Sequence, residues 1–504
     1  MTEDEQPGLT RRHALTGAAA IAGTALASGP VQAADAAKKK HKPAKRSADV
    51  IVVGAGAAGS AAAHAIAKAG RSVILLEARN RVGGRTLNEP LGPRWPGKIA
   101  EIGGTFVGPT QDRIYALISE MGLSTFRTYD TGHTTSMFNG HKGQFENADP
   151  LSFANISPTG GLEGIKLLLQ LQAMANQVPV DAPWTAKNAG DWDSQTLWSW
   201  AQQNVASPDA RAILDTLTTA IWGCQARDIS LLWALFYFAA AGDEKTRGQG
   251  LTLINNTTNG AQQDRIVGGS QLIWINIARE LRKAVVLNAP VTRIATSRRG
   301  VTVTSAKGVY KGKHVIVAMP PALTARIMFE PALPPLRDQL VQRFPQGSYA
   351  KFEAVYPTPF WREDGANGQV FGDNGVVLSW DTSPPGGNPG VIAGFIGGDH
   401  ARRWDRLGAK ARREFGLNAL AQYLGPQILD PLQYAEVRWT NEVWSRGDPT
   451  GFTPPGVLLG FGEALRAPIG RIHWAGTETS EYWPGYMEGA VRSGQRAAAE
   501  ALGG

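Results

Sequence analysis

The chain has 504 residues, 43% of them hydrophobic and 19% charged, a composition typical of a globular protein long enough for two domains. Its formal net charge of +8 is unevenly placed, because residues 1–33 carry −1, residues 34–48 carry +5, and the rest only +4. The basic residues after position 48 are dispersed, which argues against nucleic-acid binding. Cys224 is the only cysteine, which excludes an intrachain disulfide, and the eight histidines lack metal-ligand spacing, which argues against a metal site.

The first 33 residues resemble a twin-arginine signal peptide. Arg11 and Arg12 precede a weakly apolar run over residues 14–28, which is too short to span a bilayer, and small residues follow up to Ala33. Residues 34–48 read as a solvated basic linker. We therefore expect export of a mature chain without a membrane span, to the periplasm, the cell wall or the medium. The alternative is a disordered tail with a chance arginine pair.

A strand, a glycine turn and a helix follow the linker. The apolar run Val50–Val53 predicts a buried strand, and an alanine-rich segment through Ala69 predicts a helix. Between them, Gly54, Gly56 and Gly59 form the motif G-x-G-x-x-G. In a dinucleotide site these glycines permit a tight turn, a close approach of backbone to pyrophosphate, and close packing of helix on strand. The uncapped end of such a helix attracts phosphate groups.

A second apolar run, Val73–Leu76, completes a βαβ unit and ends at Glu77, where a carboxylate can hold ribose hydroxyls. The next nine residues contain a second glycine pair and three arginines, Arg79, Arg81 and Arg85. A nicotinamide enzyme does not need these groups, whereas an enclosed flavin dinucleotide does. The sequence therefore favours FAD, and a surface arginine cluster is the alternative.

The rest of the chain alternates between helical and strand patterns. Residues 124–263 are rich in helical patterns and tryptophan, and residues 271–283 form a further helical pattern. Short strand patterns follow over residues 291–297, 301–305 and 314–317.

Several of these segments resemble the flavin amine oxidase superfamily, and its monoamine oxidase branch in particular. The similarity extends from about Asp49 to Leu502. It is carried by the stretches Glu77-Ala-Arg-Asn-Arg-Val-Gly-Gly-Arg-Thr86, Glu101-Ile-Gly-Gly-Thr-Phe-Val-Gly-Pro-Thr-Gln111, Arg265-Ile-Val-Gly-Gly-Ser270, Trp474-Ala-Gly-Thr-Glu-Thr479 and Trp483-Pro-Gly-Tyr-Met-Glu-Gly-Ala490.

The resemblance implies an α/β fold like that of monoamine oxidase, with two domains. An FAD-binding domain of Rossmann type (GR2-like) would combine residues 49–123, 264–340 and 441–504. An α+β substrate-binding domain would combine residues 124–263 and 341–440.

The resemblance also implies the contacts of the flavin dinucleotide. Thr477 and Glu478 would lie along the ribityl and phosphate arm, Val291 at the adenine, and Trp439 near the isoalloxazine. The helix beginning near Met487 would point its positive end at the pyrimidine ring. The full predicted set is Gly54, Gly56, Ala58, Gly59, Glu77, Ala78, Arg79, Gly84, Arg85, Gly103, Gly104, Thr105, Val291, Trp439, Gly476, Thr477, Glu478, Tyr486 and Met487.

Two residues match the family's catalytic positions. Lys351 matches the lysine that reaches flavin N5 through a water molecule. Tyr486 matches one wall of the aromatic cage that orients the amine before the flavin. Without the family register, Lys351 would read as a strand-edge lysine and Tyr486 as a core aromatic residue.

The chain departs from the family at the opposite wall of the cage. Members with a covalently bound flavin have a cysteine followed by the second cage tyrosine, where this chain has Asp448 and Pro449. The resemblance therefore implies non-covalent FAD and a cage that is open on one side or completed by another residue, such as Trp444 or Trp483.

The predicted reaction is the oxidation of a primary amine by FAD and dioxygen, giving an aldehyde, ammonia and hydrogen peroxide. By register, Phe106, Ile254, Gln262 and Leu378 would shape the entrance, with Trp444 in the pocket; these mostly apolar residues suit an aryl or alkyl amine. The alternatives are a polyamine or putrescine oxidase, an L-amino-acid oxidase, and a flavin-binding protein without turnover. Phe106 argues against the amino-acid oxidase, because it stands where that family has a carboxylate-binding arginine. The sequence leaves open which amine is used and whether the chain forms a homodimer.

Overall fold

A computed structural model describes residues 46–146, 155 and 160–503. The predicted signal peptide and most of the basic linker lie outside the described residues. Strands and helices are numbered here along the chain.

A five-stranded parallel sheet contains the predicted βαβ unit. Its strands, in spatial order, are β11 (Val285–Val286), β3 (Val73–Leu76), β2 (Val50–Val53), β15 (His314–Ala318) and β22 (Ile472–Ala475). Every residue of β2 and β3 is buried, as expected for strands covered on both faces. The sheet joins strands from all three segments of the predicted FAD domain, whose boundaries stay a prediction.

Two helices with small residues pack closely on one face of this sheet. They are α1 (Ala57–Lys68), the predicted helix of the βαβ unit, and α15 (Met487–Gly503). A side chain at Gly494 of α15 would place its Cβ 2.2 Å from the carbonyl oxygen of Ala58, so the two backbones touch there. Glycine at position 494 thus lets α15 support the first turn of α1.

A second five-stranded sheet contains the predicted strands near residues 291–305. In spatial order its strands are β1 (Arg46–Ser47), β14 (Gly308–Gly312), β13 (Gly300–Ser305), β12 (Val291–Ser297) and β16 (Met328–Glu330). The predicted helix over residues 271–283 is shorter in the structure. It ends at Leu281, because Arg282 adopts a positive φ of 49° that an α-helix does not allow.

A seven-stranded sheet holds the predicted catalytic lysine on its second strand. In spatial order its strands are β21 (Gln433–Arg438), β17 (Tyr349–Tyr356), β20 (Gly390–Gly397), β19 (Leu378–Asp381), β18 (Ala366–Gly372), β8 (His133–Phe138) and β9 (His141–Phe145). All eight residues of β17 are buried. Its alternate residues Ala350, Phe352, Ala354 and Tyr356 join a hydrophobic core, which leaves Tyr349, Lys351 and Glu353 on the other face.

Two small sheets complete the strands of the described chain. One pairs β4 (Asn88–Pro90) with β5 (Ile99–Glu101), and the other has the order β6 (Phe106–Val107), β10 (Asp264–Ile266), β7 (Thr125–Arg127).

The remaining helices are mostly short, and many lie between β9 and β10. They are α2 (Asp112–Glu120), α3 (Gly161–Ala175), α4 (Ala189–Asp193), α5 (Leu197–Asn204), α6 (Pro208–Trp222), α7 (Leu231–Ala240), α8 (Gly250–Asn255), α9 (Gln271–Leu281), α10 (Pro321–Thr324), α11 (Pro335–Gln342), α12 (Gly398–Trp404), α13 (Ala409–Leu424) and α14 (Val457–Phe461). None of the helices in the described part of the chain is long and apolar enough to cross a membrane.

Candidate active site

A single large cavity brings the predicted site residues together. Its volume is about 1200 Å³, more than the roughly 300–1,000 Å³ of an ordinary small-molecule site. All the residues predicted for catalysis and for the substrate pocket line it, as do all the predicted cofactor residues except Gly59, Trp439 and Glu478. The cavity is therefore large enough for a dinucleotide and a second small molecule.

The three exceptions lie behind the cavity wall. A side chain at Gly59 would place its Cβ 1.8 Å from the carbonyl oxygen of Gly54, so Gly59 serves packing. Glu478 is fully buried and accepts hydrogen bonds from Arg85. Trp439 is also fully buried, and its indole nitrogen donates to the carbonyl of Ile102 at 3.3 Å.

The glycine turn leaves open space where phosphates would bind. Gly54 has a φ of +99°, and a Cβ there would lie 2.5 Å from the carbonyl oxygen of Ala318, so only glycine fits. Helix α1 begins after Gly56 without a side-chain cap, so its first backbone N–H groups need partners from outside the helix. A Cβ on Gly56 would approach no protein atom closer than 3.8 Å, the Cα of Gly84, so the space beside it belongs to the cavity.

Glu77 and Arg79 form the next part of the wall. One oxygen of Glu77 accepts the N–H of Ala55 at 2.7 Å, and the other accepts the N–H of Arg79 at 2.8 Å. Each oxygen retains a lone pair for a ligand hydroxyl. The guanidinium of Arg79 donates to Glu442 at 3.0 Å and to Ser445 at 2.8 Å, which holds it beside the cavity. The structure thus places a carboxylate and a cation on the same part of the cavity wall.

Arg85 connects three separate parts of the chain. Its guanidinium donates to the carbonyl of Pro449 and to Oε1 of Glu478, both at 2.8 Å. Arg81, the third arginine of this segment, instead donates to the carbonyls of Val82, Gly84 and Thr86 and braces the glycine pair.

Lys351 of β17 lies on the cavity wall. Its Nζ donates to the carbonyls of Glu101 and Gly103, the latter at 3.1 Å, and to Oγ1 of Thr105 at 2.8 Å. The ring of Phe395 lies 5.2 Å from Nζ. Burial lowers the pKa of Lys351, which favours its neutral amine relative to an exposed lysine.

A buried group of charges stands behind Lys351. Glu353, two residues along the strand, has a carboxylate oxygen 3.7 Å from Nζ, and its other oxygen accepts the N–H of Glu101 at 3.1 Å. Arg265 donates to Oε2 of Glu101 at 2.8 Å. Burial raises the pKa of Glu353 although Lys351 and Arg265 oppose this. These contacts fix the segment from Glu101 to Thr105 against β17.

Tyr486 is held between two aromatic rings. Trp483 packs against it with ring centroids 4.7 Å apart and planes at 76°, and Tyr237 lies 6.3 Å away. Burial raises the pKa of both Tyr237 and Tyr486. Trp483 is fully buried behind Tyr486 and does not line the cavity, so it is not the opposite wall. Tyr237 was missed because α7 is apolar on all sides and its sequence marks no single face.

Trp444, Asp448 and Pro449 all line the cavity, unlike Trp483. Of the two tryptophans considered from sequence, Trp444 is therefore the one in position to bound a ligand.

Four aromatic side chains, the aromatic chamber, form a further part of the cavity wall; they are Phe106, Tyr349, Trp380 and Phe395. Ring centroids of Trp380 lie 5.3 Å from Phe106 and 5.4 Å from Phe395, and Phe395 lies 5.8 Å from Tyr349. Tyr349 precedes Lys351 by two residues, so strand periodicity alone could have placed it on the same face. Trp380 and Phe395 come from neighbouring strands whose pairing the sequence does not show.

These features fit a flavin dinucleotide. An uncapped helix end, a ribose-binding carboxylate and two arginines line one cavity with a buried lysine and an aromatic chamber. Within the described ranges, no three histidine, cysteine, aspartate or glutamate side chains lie together as a metal site would require. The fold and the site define a flavin-dependent oxidoreductase.

Comparison with known proteins gives the family. Residues 57–502 match the family model of flavin containing amine oxidoreductases. A protein of Mycobacterium tuberculosis that carries the name flavin-containing monoamine oxidase AofH is 42% identical, with 90% of this chain and 96% of that protein covered. Human flavin-containing amine oxidase B is 36% identical, with 90% and 86% covered. The chain belongs to the flavin-containing amine oxidoreductase family and is an FAD-dependent amine oxidase.

Solved structures agree with this assignment. A putrescine oxidase with bound putrescine superposes with a TM-score of 0.85 at 32% identity, covering 92% of this chain and all of that chain. Cyclohexylamine oxidase from Brevibacterium oxydans gives a TM-score of 0.83 at 35% identity, with 90% and 99% covered. The α/β fold predicted from the sequence is confirmed.

The ring of Tyr486 should matter more than its hydroxyl. We expect Tyr486→Ala to lower kcat/KM about 30-fold, since an aromatic face contributes up to about 2 kcal/mol to a desolvated amine or ammonium. Tyr486→Phe keeps the ring between Trp483 and Tyr237 and should lower kcat/KM less than about 3-fold. Steady-state peroxide release measures both. Equal losses in the two variants would show that the ring does not orient the amine.

Proposed function

We propose that this enzyme oxidises a primary aryl or alkyl monoamine to an aldehyde, with release of ammonia and hydrogen peroxide. The observation that carries the proposal is the aromatic chamber of Phe106, Trp380, Phe395 and Tyr349 beside Lys351. Such a chamber gains free energy by covering the apolar part of a substrate and offers little to a second charge.

Each group in the cavity would have a separate role in the reaction. Bound FAD supplies the electron acceptor for the hydride of the α-carbon, and dioxygen is the proposed final acceptor. Tyr486 would orient the amine nitrogen by its ring. Lys351, whose pKa burial lowers, can hold or pass a proton at Nζ. The buried walls exclude water from the reacting atoms.

A second candidate is the oxidation of a diamine such as putrescine. Asp130 and Glu146 also line the cavity, as does Leu169 of α3, which is 68% exposed. A carboxylate on the cavity wall could receive the far ammonium of a diamine. The similarity to a putrescine oxidase bound to its substrate adds to this possibility.

Pentylamine and putrescine form a matched pair that separates the two candidates. Both have six non-hydrogen atoms in a line and differ only in a methyl group against an ammonium. We expect pentylamine to reduce the flavin anaerobically with at least about a 10-fold higher kred/Kd, because putrescine must bury a second charge. Loss of the flavin absorbance in a stopped-flow instrument measures the rate.

The possible outcomes are distinct. A preference for putrescine would replace the first candidate by the second, and Asp130→Asn should then remove that preference. Reduction by neither amine, nor by benzylamine or phenethylamine, would contradict the proposed function as a whole.

We further propose that the protein is exported by a twin-arginine route to the periplasm, the cell wall or the medium. The motif around Arg11 and Arg12 supports this proposal. Such a route carries folded proteins, which suits an enzyme that acquires FAD in the cytoplasm and has a single cysteine. Replacing both arginines by lysine should leave the enzyme in the cytoplasmic fraction.

A further inference from the structure

Two arginines hold the segment Glu442–Ser445 against the cavity. The guanidinium of Arg79 donates to the carboxylate of the first residue of this segment at 3.0 Å and to the hydroxyl of the last at 2.8 Å. Arg326, which follows helix α10, donates to the carbonyl of Val443 at 2.7 Å. Both arginines line the cavity. Three of the four residues of the segment are thus held by hydrogen bonds, and the fourth is Trp444.

The segment is held at the nucleotide end of the cavity, which the glycine turn and Glu77 define. The N–H of Arg79 donates to Oε1 of Glu77 at 2.8 Å, and Nη1 of Arg79 lies 3.9 Å from the same oxygen. The other oxygen of Glu77 accepts the N–H of Ala55, in the glycine turn, at 2.7 Å. A continuous series of contacts therefore leads from the glycine turn, through the predicted ribose-binding carboxylate, to Ser445.

Trp444 makes no hydrogen bond and no contact with another ring among the described residues. Its indole is half-buried and lines the cavity. A tryptophan in such a place usually has its ring covered and its N–H paired, so this side chain is free to receive a ligand. Within the described chain, no hydrogen bond or ring contact joins the segment Glu442–Ser445 to Lys351 or Tyr486.

We propose that Trp444 binds the cofactor by covering the adenosine diphosphate half of FAD, and that the segment Glu442–Ser445 clasps this half in the cavity. The sequence assigned Trp444 to the substrate pocket, whereas the contacts of its neighbours in the chain place it at the nucleotide end. Such a clasp would help to retain a flavin that has no covalent bond to the protein. The inference depends on the cofactor and not on which amine is oxidised.

Release of FAD from the holoenzyme tests the proposal without an amine. We expect Trp444→Ala to raise the dissociation constant of FAD at least about 10-fold and to speed its release, because an aromatic ring no longer covers the cofactor. Trp444→Phe keeps a ring and should raise the constant less than about 5-fold. The fluorescence of released FAD measures the rate, and titration of the deflavinated full chain measures the constant. Equal retention of FAD by wild type and Trp444→Ala would overturn the proposal.

Trp198→Ala is the matched control for this variant. Trp198 is also half-buried, but it does not line the cavity, so the dissociation constant of FAD should stay within about 2-fold of the wild-type value. An equal loss of FAD in Trp198→Ala would mean that removal of any half-buried tryptophan loosens the protein, and it would overturn the specific role of Trp444.

Two fragments of FAD show which half of the cofactor Trp444 contacts. ADP contains the nucleotide half, and riboflavin contains the ring system without a phosphate group. Competition of each fragment with FAD for the deflavinated full chain gives its dissociation constant. We expect Trp444→Ala to weaken ADP by about the same factor as FAD and to weaken riboflavin less than about 2-fold. The reverse pattern would overturn the assignment to the nucleotide half.

A position of Trp444 beside the amine predicts a different result. With FAD saturating, we expect Trp444→Ala to change kred/Kd for pentylamine less than about 3-fold, whereas Tyr486→Ala should lower it strongly. A large loss for the amine with normal retention of FAD would overturn the proposal. If no amine reduces the flavin, the proposed function fails, while the measurements with FAD and ADP still decide the role of Trp444.

Discussion

Replacing Lys351 by methionine should lower kcat at least about 100-fold, the usual contribution of a positioned proton-transfer group. The change also removes the donor to Glu101, Gly103 and Thr105. The Thr105 hydroxyl has one proton for the two carbonyls, and a buried acceptor left without a partner costs about 1–3 kcal/mol. Because Gly103 and Thr105 line the cavity, their loosening should weaken FAD retention as well. Stopped-flow measurement of flavin reduction and reoxidation, with the thermal unfolding midpoint alongside, separates the two effects.

Lys410→Met is the matched control for this variant. The Lys410 side chain is 91% exposed on helix α13, so the same chemical change should leave kcat and stability unaltered. Unchanged rates of both flavin reactions in Lys351→Met would remove Lys351 from the mechanism.

Gly56→Ala should weaken FAD binding, whereas Gly59→Ala should disrupt the fold. At Gly56 the backbone has an ordinary φ of −73° and the added Cβ meets no protein atom within 3.8 Å, so the fold should persist. The methyl group would occupy the space beside the uncapped start of α1, and we expect FAD affinity to fall at least about 100-fold. At Gly59 the Cβ would lie 1.8 Å from Gly54, so the βαβ unit itself should be disrupted.

Circular dichroism and FAD titration distinguish these outcomes. Gly56→Ala should show normal secondary structure and colourless protein, whereas Gly59→Ala should be found mostly in aggregates. Full FAD occupancy in Gly56→Ala would mean that phosphate does not approach this backbone. Soluble, yellow Gly59→Ala would contradict the packing argument.

The local parts of the fold were predictable from the sequence. Strands Val50–Val53 and Val73–Leu76 are found as predicted. A short, continuous run of β-branched residues and leucine that is bounded by turn residues is typical of a buried strand. Strand β12 likewise covers residues 291–297 as predicted. The helix over residues 271–283 was predicted two residues too long, because Lys283 and Arg282 continue its polar face and carry no signal for a positive φ.

The cage could be predicted only in part. Family register identified Tyr486 and Lys351, and both line the cavity. Tyr237, Trp380 and Phe395 come from elements distant in the chain, and no local pattern distinguishes their rings from ordinary core residues. The meeting of Arg85 with Glu478 is likewise a property of tertiary structure alone.

The contact between Gly494 and Ala58 gives the last helix of the chain a part in holding the cofactor. Helix α15 buttresses the turn from which the phosphate-binding N–H groups project, although it is separated from that turn by more than four hundred residues of sequence. A protein bearing a bulky residue at position 494 should therefore be made colourless by a change at a residue that does not itself line the cavity. The C-terminus is thus a poor place to trim this enzyme.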